Sequence, residues 1–244
     1  MTIVFTIASS HLIAMAADSA VTIELEDSRE YEVGRKSYFF EGVGCLTTWG
    51  ARDHNRIGPF LQDQGVTHHS HSVFELADFA QEFLEHHYRP SDLGLEDVGY
   101  HVAGFDPKGD PHLWHIFYGF DRPRPPGQTA PAYRRYDHTP PRGAAAFLYK
   151  GRNDLAEPVV RTLIGVLNSG QPSNFDLGSP VDVARFADLV PRFAAEFTPE
   201  VGPPFITHLF SPGNRGLHIV NKGLSPLPRP RILDALRTIG YDGP

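Results

Sequence analysis

The chain opens on two apolar runs broken by turn chemistry. Thr2 to Ala8 is apolar and β-branched, Ser9-Ser10 supplies a turn, and His11 to Ala17 is apolar again and ends on one carboxylate, Asp18. That pattern predicts two short strands joined by a tight turn. Residues 24–35 are acidic and polar, as in an exposed loop or a short hairpin. Lys36 precedes a third apolar stretch, Tyr38 to Cys45, which closes on Thr47-Thr48-Trp49-Gly50-Ala51; Arg52, Asp53 and Arg56 then begin a helix or its lead-in. Ser72-Val73-Phe74-Glu75 reads as a capping box, and Val73, Leu76, Ala77, Ala80, Phe83 and Leu84 recur at helical spacing behind it.

Asp121 to Arg142 holds six prolines among five arginines. It suits neither a regular helix nor an inner strand, and reads as an inserted extended loop. Ala144 to Tyr149 resumes as a strand, Asn153 is placed to cap a helix reaching about Leu167, and Gly165 to Ser179 is a small-residue loop. The next helix has Ser179 as its cap, Pro180 at its first position and Asp182 to complete a capping box. Its apolar face is Val183, Phe186, Ala187, Val190, Phe193, Ala194 and Phe197, with a kink expected at Pro191. Phe205 to Phe210 and Gly216 to Val220 form a late hairpin, and Pro228-Arg229-Pro230 starts a last short helix. Strand sets early and late, a strand pair in the middle and two amphipathic helices on each side imply an α+β fold, a four-layer αββα sandwich.

Composition narrows the function. At 244 residues the chain is long enough for one large domain with a substantial core. A net charge of −7 argues against a dedicated nucleic-acid binder, which shows a basic face. No apolar run reaches the length of a membrane span. The single Cys45 excludes an internal disulfide framework and fits a reducing, cytoplasmic compartment; in a core strand it reads as a small buried hydrophobe. His68-His69-Ser70-His71 looks like a metal site, but it falls in a loop before a helix start, and His86-His87 fall in that helix's last turn. No cysteines or carboxylates stand at ligand spacing, so neither metal nor other cofactor is expected.

The N-terminal pattern resembles the β-subunits of the proteasome and equally their bacterial relatives, HslV and the ancestral β-type peptidases. The resemblance rests on a threonine after the initiator methionine, Ala-Ala-Asp-Ser ending the second strand, a lysine opening the next pair of strands, and a Gly-Ala turn leading to Asp53. Gly99 to Phe117 is similar to the family's central hairpin, an "AG-aromatic-Asp" strand returning on an aromatic one. The resemblance implies a single Ntn-hydrolase (N-terminal-nucleophile hydrolase) domain over residues 1–244, with the proline- and arginine-rich insertion at about 121–142. It places Thr2 on the nucleophile, Asp18 and Lys36 on the charged pair beneath it, and Gly50 on the turn whose amide faces the oxyanion. Thr48, Arg52 and Arg56 fall on the substrate side-chain pocket, where a cationic lining would favour acidic residues. The implied partners are a peptide or protein substrate, further copies of the chain in a closed homo-oligomeric ring, and an unfolding ATPase, with no nucleic acid and no membrane.

A threonine hydroxyl needs a base. Once Met1 is removed, the α-amine of Thr2 has an ordinary pKa of about 8 and can take the hydroxyl proton directly or through one water. A buried lysine keeps that amine neutral by like-charge repulsion, and a carboxylate holds the lysine. Two other readings stay open. Residues 3–16 with Ala14-Met15-Ala16 resemble a secretory signal and its cleavage site, although no Lys or Arg precedes the run and Ser9-Ser10-His11 interrupts it. The second is a catalytically silent subunit with an assembly or binding role. Where active relatives carry Gly-Ser-Gly this chain has Gly151-Arg152-Asn153, and where they carry an aspartate and a serine around a glycine it has Thr198-Pro199-Glu200-Val201-Gly202.

Overall fold

The computed structural model describes residues 2–24, 29–50, 56–88, 98–120, 126–128, 130–168 and 175–222. Its N-terminal strands are β1 (Ile3–Ser9) and β2 (Ile13–Ala17), paired antiparallel with Val4 opposite Ala17. Ser9 makes the turn: its N–H and hydroxyl both donate to the Leu12 carbonyl, at 2.9 and 3.0 Å. β3 (Ala20–Glu24) and β4 (Arg29–Val33) form a separate two-stranded hairpin where the sequence is acidic and polar. The lysine then opens β5 (Ser37–Phe40), which turns into β6 (Gly44–Trp49). The third apolar stretch is therefore shared by two paired strands, the pair that the lysine was expected to open.

The middle of the chain follows its periodicity closely. After α1 (Ile57–Asp63), α2 (Val73–Glu82) starts at the capping box: Ser72 Oγ accepts from Glu75 N–H at 3.3 Å and Glu75 Oε2 from Ser72 N–H at 2.7 Å. Val73, Leu76, Ala77 and Ala80 are buried, as are Phe83 and Leu84 in the π-helical turn (Phe83–His87) that continues it. β7 (Val98–Phe105) and β8 (Pro111–Gly119) are the central hairpin. Asp106 Oδ1 closes its turn by accepting from the N–H groups of Lys108 and Asp110, at 2.8 and 2.9 Å. β9 (Ala132–Asp137) pairs with β8 at the sheet edge, so this part of the proline- and arginine-rich segment is strand where a loop was expected. Its prolines lie outside those six residues, which leaves the ladder N–H groups intact.

β10 (Ala145–Gly151) returns to pair with β1, and α3 (Asn153–Asn168) and α4 (Pro180–Ala195) follow. Two expected caps differ. Asn153 does not cap α3: its Oδ1 is buried without a hydrogen-bond partner, and the Arg152 carbonyl accepts from the first-turn N–H groups of Leu155 and Ala156. Ser179 does cap α4, but the Asp182 carboxylate accepts from Asp176 N–H, not from the cap's own N–H, so no box forms. α4 continues through Pro191 as one element. Phe197, expected on its apolar face, is 62% exposed because the helix has ended before it. β11 (Phe205–Ser211) and β12 (Arg215–Asn221) form the late hairpin. The C-terminal helix expected from Pro228 lies outside the described residues, as do Arg52 and Asp53.

The result is an α+β fold of two five-stranded antiparallel sheets, β10-β1-β2-β11-β12 and β5-β6-β7-β8-β9. Strand alternation sorts the side chains. Ile3, Phe5 and Ile7 pack with α3 and α4. Leu46, Tyr100 and Val102 pack with α1 and α2. The opposite faces meet: Ala8, Ile13 and Met15 of the first sheet contact Cys45, Ala103 and Leu113 of the second. Burial pushes the Cys45 thiol well up, as expected of an inert small hydrophobe. Among the described residues no helix is long and apolar enough to cross a membrane.

His101, His115 and His208 are buried in this fold, and burial holds each well below its ordinary 6.5. These groups are neutral when folded and take up protons when unfolded, so their contribution is present above about pH 6.5 and is lost as the pH falls below it. Each costs up to about 1.4 kcal/mol per pH unit in that range. Urea unfolding at pH 7.5 and 5.5 tests this: the midpoint should drop sharply in the native chain and less in His208→Gln. An unchanged midpoint between the two pH values contradicts it.

Candidate functional site

The two charges singled out in the sequence meet at the bottom of β1. Asp18 follows β2 and Lys36 precedes β5, and their side chains are 0% and 2% exposed. Lys36 Nζ donates to both carboxylate oxygens of Asp18, at 3.1 and 3.0 Å, and to the carbonyl of Ala20. Asp18 has two further donors, the N–H of Ile3 on Oδ1 at 2.9 Å and the N–H of Ala20 on Oδ2 at 3.1 Å. Every link in this set is a charge-assisted hydrogen bond inside the protein, where such bonds are strong. Burial pushes the Asp18 carboxyl up and the Lys36 ammonium down, while the attraction between them acts the other way.

The Ile3 bond matters because Thr2 is the next residue back. The pair grips the peptide that starts the first strand, and Thr2 itself is buried, at 5% exposure. Its carbonyl is gripped from the other side, by Arg152 N–H at 3.2 Å. Gly151 makes room for this: its φ is +102°, and a Cβ there would overlap the Thr2 carbonyl oxygen. Arg152 is held in turn by Asp154, through Nε and Nη2 at 2.8 and 2.6 Å, and lies 3.7 Å from Glu200. The loop carrying Glu200 also reaches the site by backbone, since the Gly202 carbonyl accepts from Ser19 N–H at 3.1 Å.

Gly50 leaves the end of β6 at a φ of +100°, a left-handed turn open to glycine. Its strand is tied to the pair, because Thr48 N–H donates to the Lys36 carbonyl at 2.8 Å. Of the remaining pocket residues, Thr48 and Arg56 are among those described. Thr48 is fully buried, and alternation puts its side chain with Leu46 on the helix-covered face, so it offers no surface to a substrate. Arg56 is exposed at the foot of α1 and lines a surface cleft with Pro59, Phe60, Asp63, Phe83 and His87. The histidine runs have local partners: His68 Nδ1 accepts from Glu41 N–H at 2.8 Å, and His71 meets Ser70 at 2.7 Å. Among the described residues no group of three or more His, Cys, Asp or Glu is placed to hold a metal.

With this geometry in view, the whole chain superposes on solved structures. The ancestral β-subunit Anbu from Yersinia bercovieri matches over 99% of this chain and 97% of its own, at a TM-score of 0.61 and 13% identity. A Gly-1 mutant of Anbu from Hyphomicrobium sp. strain MC1 covers 100% and 98% at a TM-score of 0.55 and 12% identity. The helical assembly of the Anbu complex from Pseudomonas aeruginosa covers 99% and 97% at 0.55 and 17%. The chain shares the Anbu fold. These neighbours correct the expected placement among proteasome β-subunits and HslV-like peptidases: they are Anbu proteins, which are proteasome-like but distinct. The chain matches no protein-family model and no curated protein sequence.

The structure brings Asp18 and Lys36 together at the start of β1, and it adds a second grip on the chain start that sequence reasoning missed. The signal for it was Gly151, whose positive φ is required by contact with Thr2 and not by a turn alone. Gly151→Ala should therefore cost about 2–4 kcal/mol and displace the N-terminus. Gly165→Ala, on α3 with nothing within 4 Å of its added methyl, should be neutral or stabilising. Thermal melts of the two variants check this, and equal effects contradict it. Removing one partner of the buried pair, as in Lys36→Met, should cost about 3–5 kcal/mol, and Lys36→Met with Asp18→Leu much less than the sum of the single changes.

Proposed function

We propose that this chain is an Ntn hydrolase of the threonine type, cutting peptide or amide bonds, and that its sheets and helices form the four-layer αββα sandwich of that class. The observation that carries the reading is the buried Lys36–Asp18 pair bonded to the N–H of Ile3. An ion pair in this position is a costly way to fill a core, since apolar replacements are often neutral or stabilising. Its value lies in what it does to the residue before Ile3.

In the proposed reaction Met1 has been removed and Thr2 is the first residue. The Lys36 ammonium disfavours a second positive charge and leaves the α-amine neutral, able to accept the Thr2 hydroxyl proton. Oγ attacks the substrate carbonyl, and the oxyanion is met by the N–H of Gly50, a contribution of about 2.7–4 kcal/mol for one such donor. The α-ammonium returns the proton to the leaving amine, and water then hydrolyses the ester on Thr2. Asp18 is a positioning residue: it holds Lys36 and, through Ile3, the direction of the chain start. The single-domain reading of residues 1–244 is part of this proposal, and so is self-association, which the Pseudomonas aeruginosa neighbour displays as a helical assembly.

A catalytically silent subunit is the second reading, and one observation favours it. Where a serine would support the amine stands Arg152, with Asp154 and Glu200 on its guanidinium. A threonine-directed epoxyketone or β-lactone separates the two. Intact-mass analysis should show Met1 absent and one adduct on Thr2, none in Thr2→Ala, and labelling slowed about 10²-fold or more in Lys36→Met. A native chain that stays unmodified, or that retains Met1, overturns the hydrolase reading in favour of the silent one.

A further inference from the structure

Close to the chain start, the space between the two sheets is lined by polar groups that the proposed hydrolysis does not use. Alternation directs Thr47 and Trp49 of β6, His101 of β7 and His115 and Phe117 of β8 toward the first sheet, on the same face as Cys45, Ala103 and Leu113. Val4 and Lys150, cross-strand partners on β1 and β10, face them. Val4 and Ala17 pack against Trp49 and Phe117, which puts the set two residues inward of Thr2.

Four polar atoms here are buried and have no hydrogen-bond partner: Thr47 Oγ1, Trp49 Nε1, His101 Nε2 and His115 Nε2. All four residues are at least nine-tenths buried. Such groups are costly unless satisfied, and a cluster of them is unusual. The indole is a donor only, and Lys150 Nζ, 5.6 Å from the Trp49 ring centre and 5.9 Å from that of Phe117, is a cation. His101 Nδ1 lies 3.1 Å from Thr6 Oγ1, so a hydroxyl donating there leaves the proton on Nε2. His101 and His115 are 5.5 Å apart by ring centres, and His138 of the segment after β9 is 6.2 Å from His115. Asp137, exposed at the end of β9, acts on its neighbour His138 and raises it against the effect of burial. Toward the edge strands β9 and β10 burial falls off: Tyr136 is 42% exposed and Lys150 half-buried.

We propose that Trp49, His101, His115 and Lys150 form a binding site for a carboxylate or small oxyanion in the buried polar layer between the two sheets. A negatively charged acceptor satisfies the indole and imidazole N–H groups together and sits against the ammonium, whereas apolar matter satisfies none of them. Burial and the charge of Lys150 hold His101 and His115 below their ordinary range. An anion reverses the second effect, so its binding draws in protons and tightens as the pH falls, with Lys150, His138 and Tyr136 as the other ionisable groups facing the site. The site does not need Thr2 to be a nucleophile. Only the identification of its ligand as an acidic group of a bound peptide rests on the hydrolase reading.

The test uses the full chain in a Trp114→Phe background, which leaves Trp49 as the fluorophore. Sodium acetate and inorganic phosphate are titrated at constant ionic strength, held with a bulky sulfonate salt, with emission and melting temperature followed at pH 5.5 and 7.5. Expected are a saturable change in Trp49 emission, a rise in melting temperature, tighter binding at pH 5.5, and about tenfold or greater weakening in Lys150→Met, which keeps the packed stem and removes the charge. A response without saturation, or one that Lys150→Met and His115→Phe leave unchanged, overturns the site. Peptides that differ only by Glu for Gln then identify the source. Displacement of acetate by the Glu peptide alone assigns the site to substrate; displacement by neither assigns it to a free anion.

Discussion

Asp18 holds the site together because it makes bonds to three different parts of the chain at once. Its carboxylate accepts from the ammonium of Lys36, from the backbone of β1 at Ile3 and from Ala20 at the start of β3. Two charges this deeply buried are tolerable only when every lone pair and proton is used. The geometry meets that demand with backbone N–H groups on the carboxylate and the Ala20 carbonyl on the ammonium. The consequence is directional. Satisfying the pair fixes where β1 begins, and with it the residue before Ile3. A hydrophobic pair of the same volume would fill the space and fix nothing.

The grip from the opposite side is of a different kind. Arg152 N–H and the missing side chain of Gly151 act on the Thr2 carbonyl through backbone, so no side-chain chemistry in the sequence announces them. One peptide is thus clamped between a charged partner on its N–H side and a turn on its carbonyl side. Such a clamp restricts the torsions around residue 2 without touching its hydroxyl, which is what an end-of-chain nucleophile needs. It also explains how the site can be ordered although neither Arg152 nor Glu200 is the serine or aspartate expected by resemblance.

How much was legible in the sequence follows from which periodicities were unambiguous. The α2 face was readable residue by residue, because a capping box fixed its phase and every apolar position fell on one stripe. Asp18 stood out as the one carboxylate closing an apolar run, whereas Lys36, beside Arg35, was singled out only by the spacing of the resemblance. The α4 face was misjudged at Phe197 because apolar spacing continues past the point where the helix stops. β9 was hidden by the prolines on either side of six strand-competent residues. Thr48 was assigned to a pocket by position, yet the period of two turns its side chain toward the helices. Strand phase, once known, decides this; motif spacing alone does not.

The same phase argument accounts for the polar layer between the sheets. In one dimension His101 and His115 are two histidines fourteen residues apart on aromatic strands, and Lys150 is a charge at the end of another. Only the register brings them together: His101 is opposite His115, and Val4 pairs with Lys150 while packing on Trp49. An apolar sheet interface would have been simpler to build, and most of this one is apolar, with Ala8, Ile13, Met15 and Leu113 in contact. Thr47, Trp49, His101 and His115 lie together on the side toward Thr2, while His208 stands apart from them, opposite Met15 and stacked on Phe39. The core is therefore divided into an apolar part that holds the sheets together and a donor-rich part beside the chain start, and a ligand with negative charge satisfies the second without loosening the first.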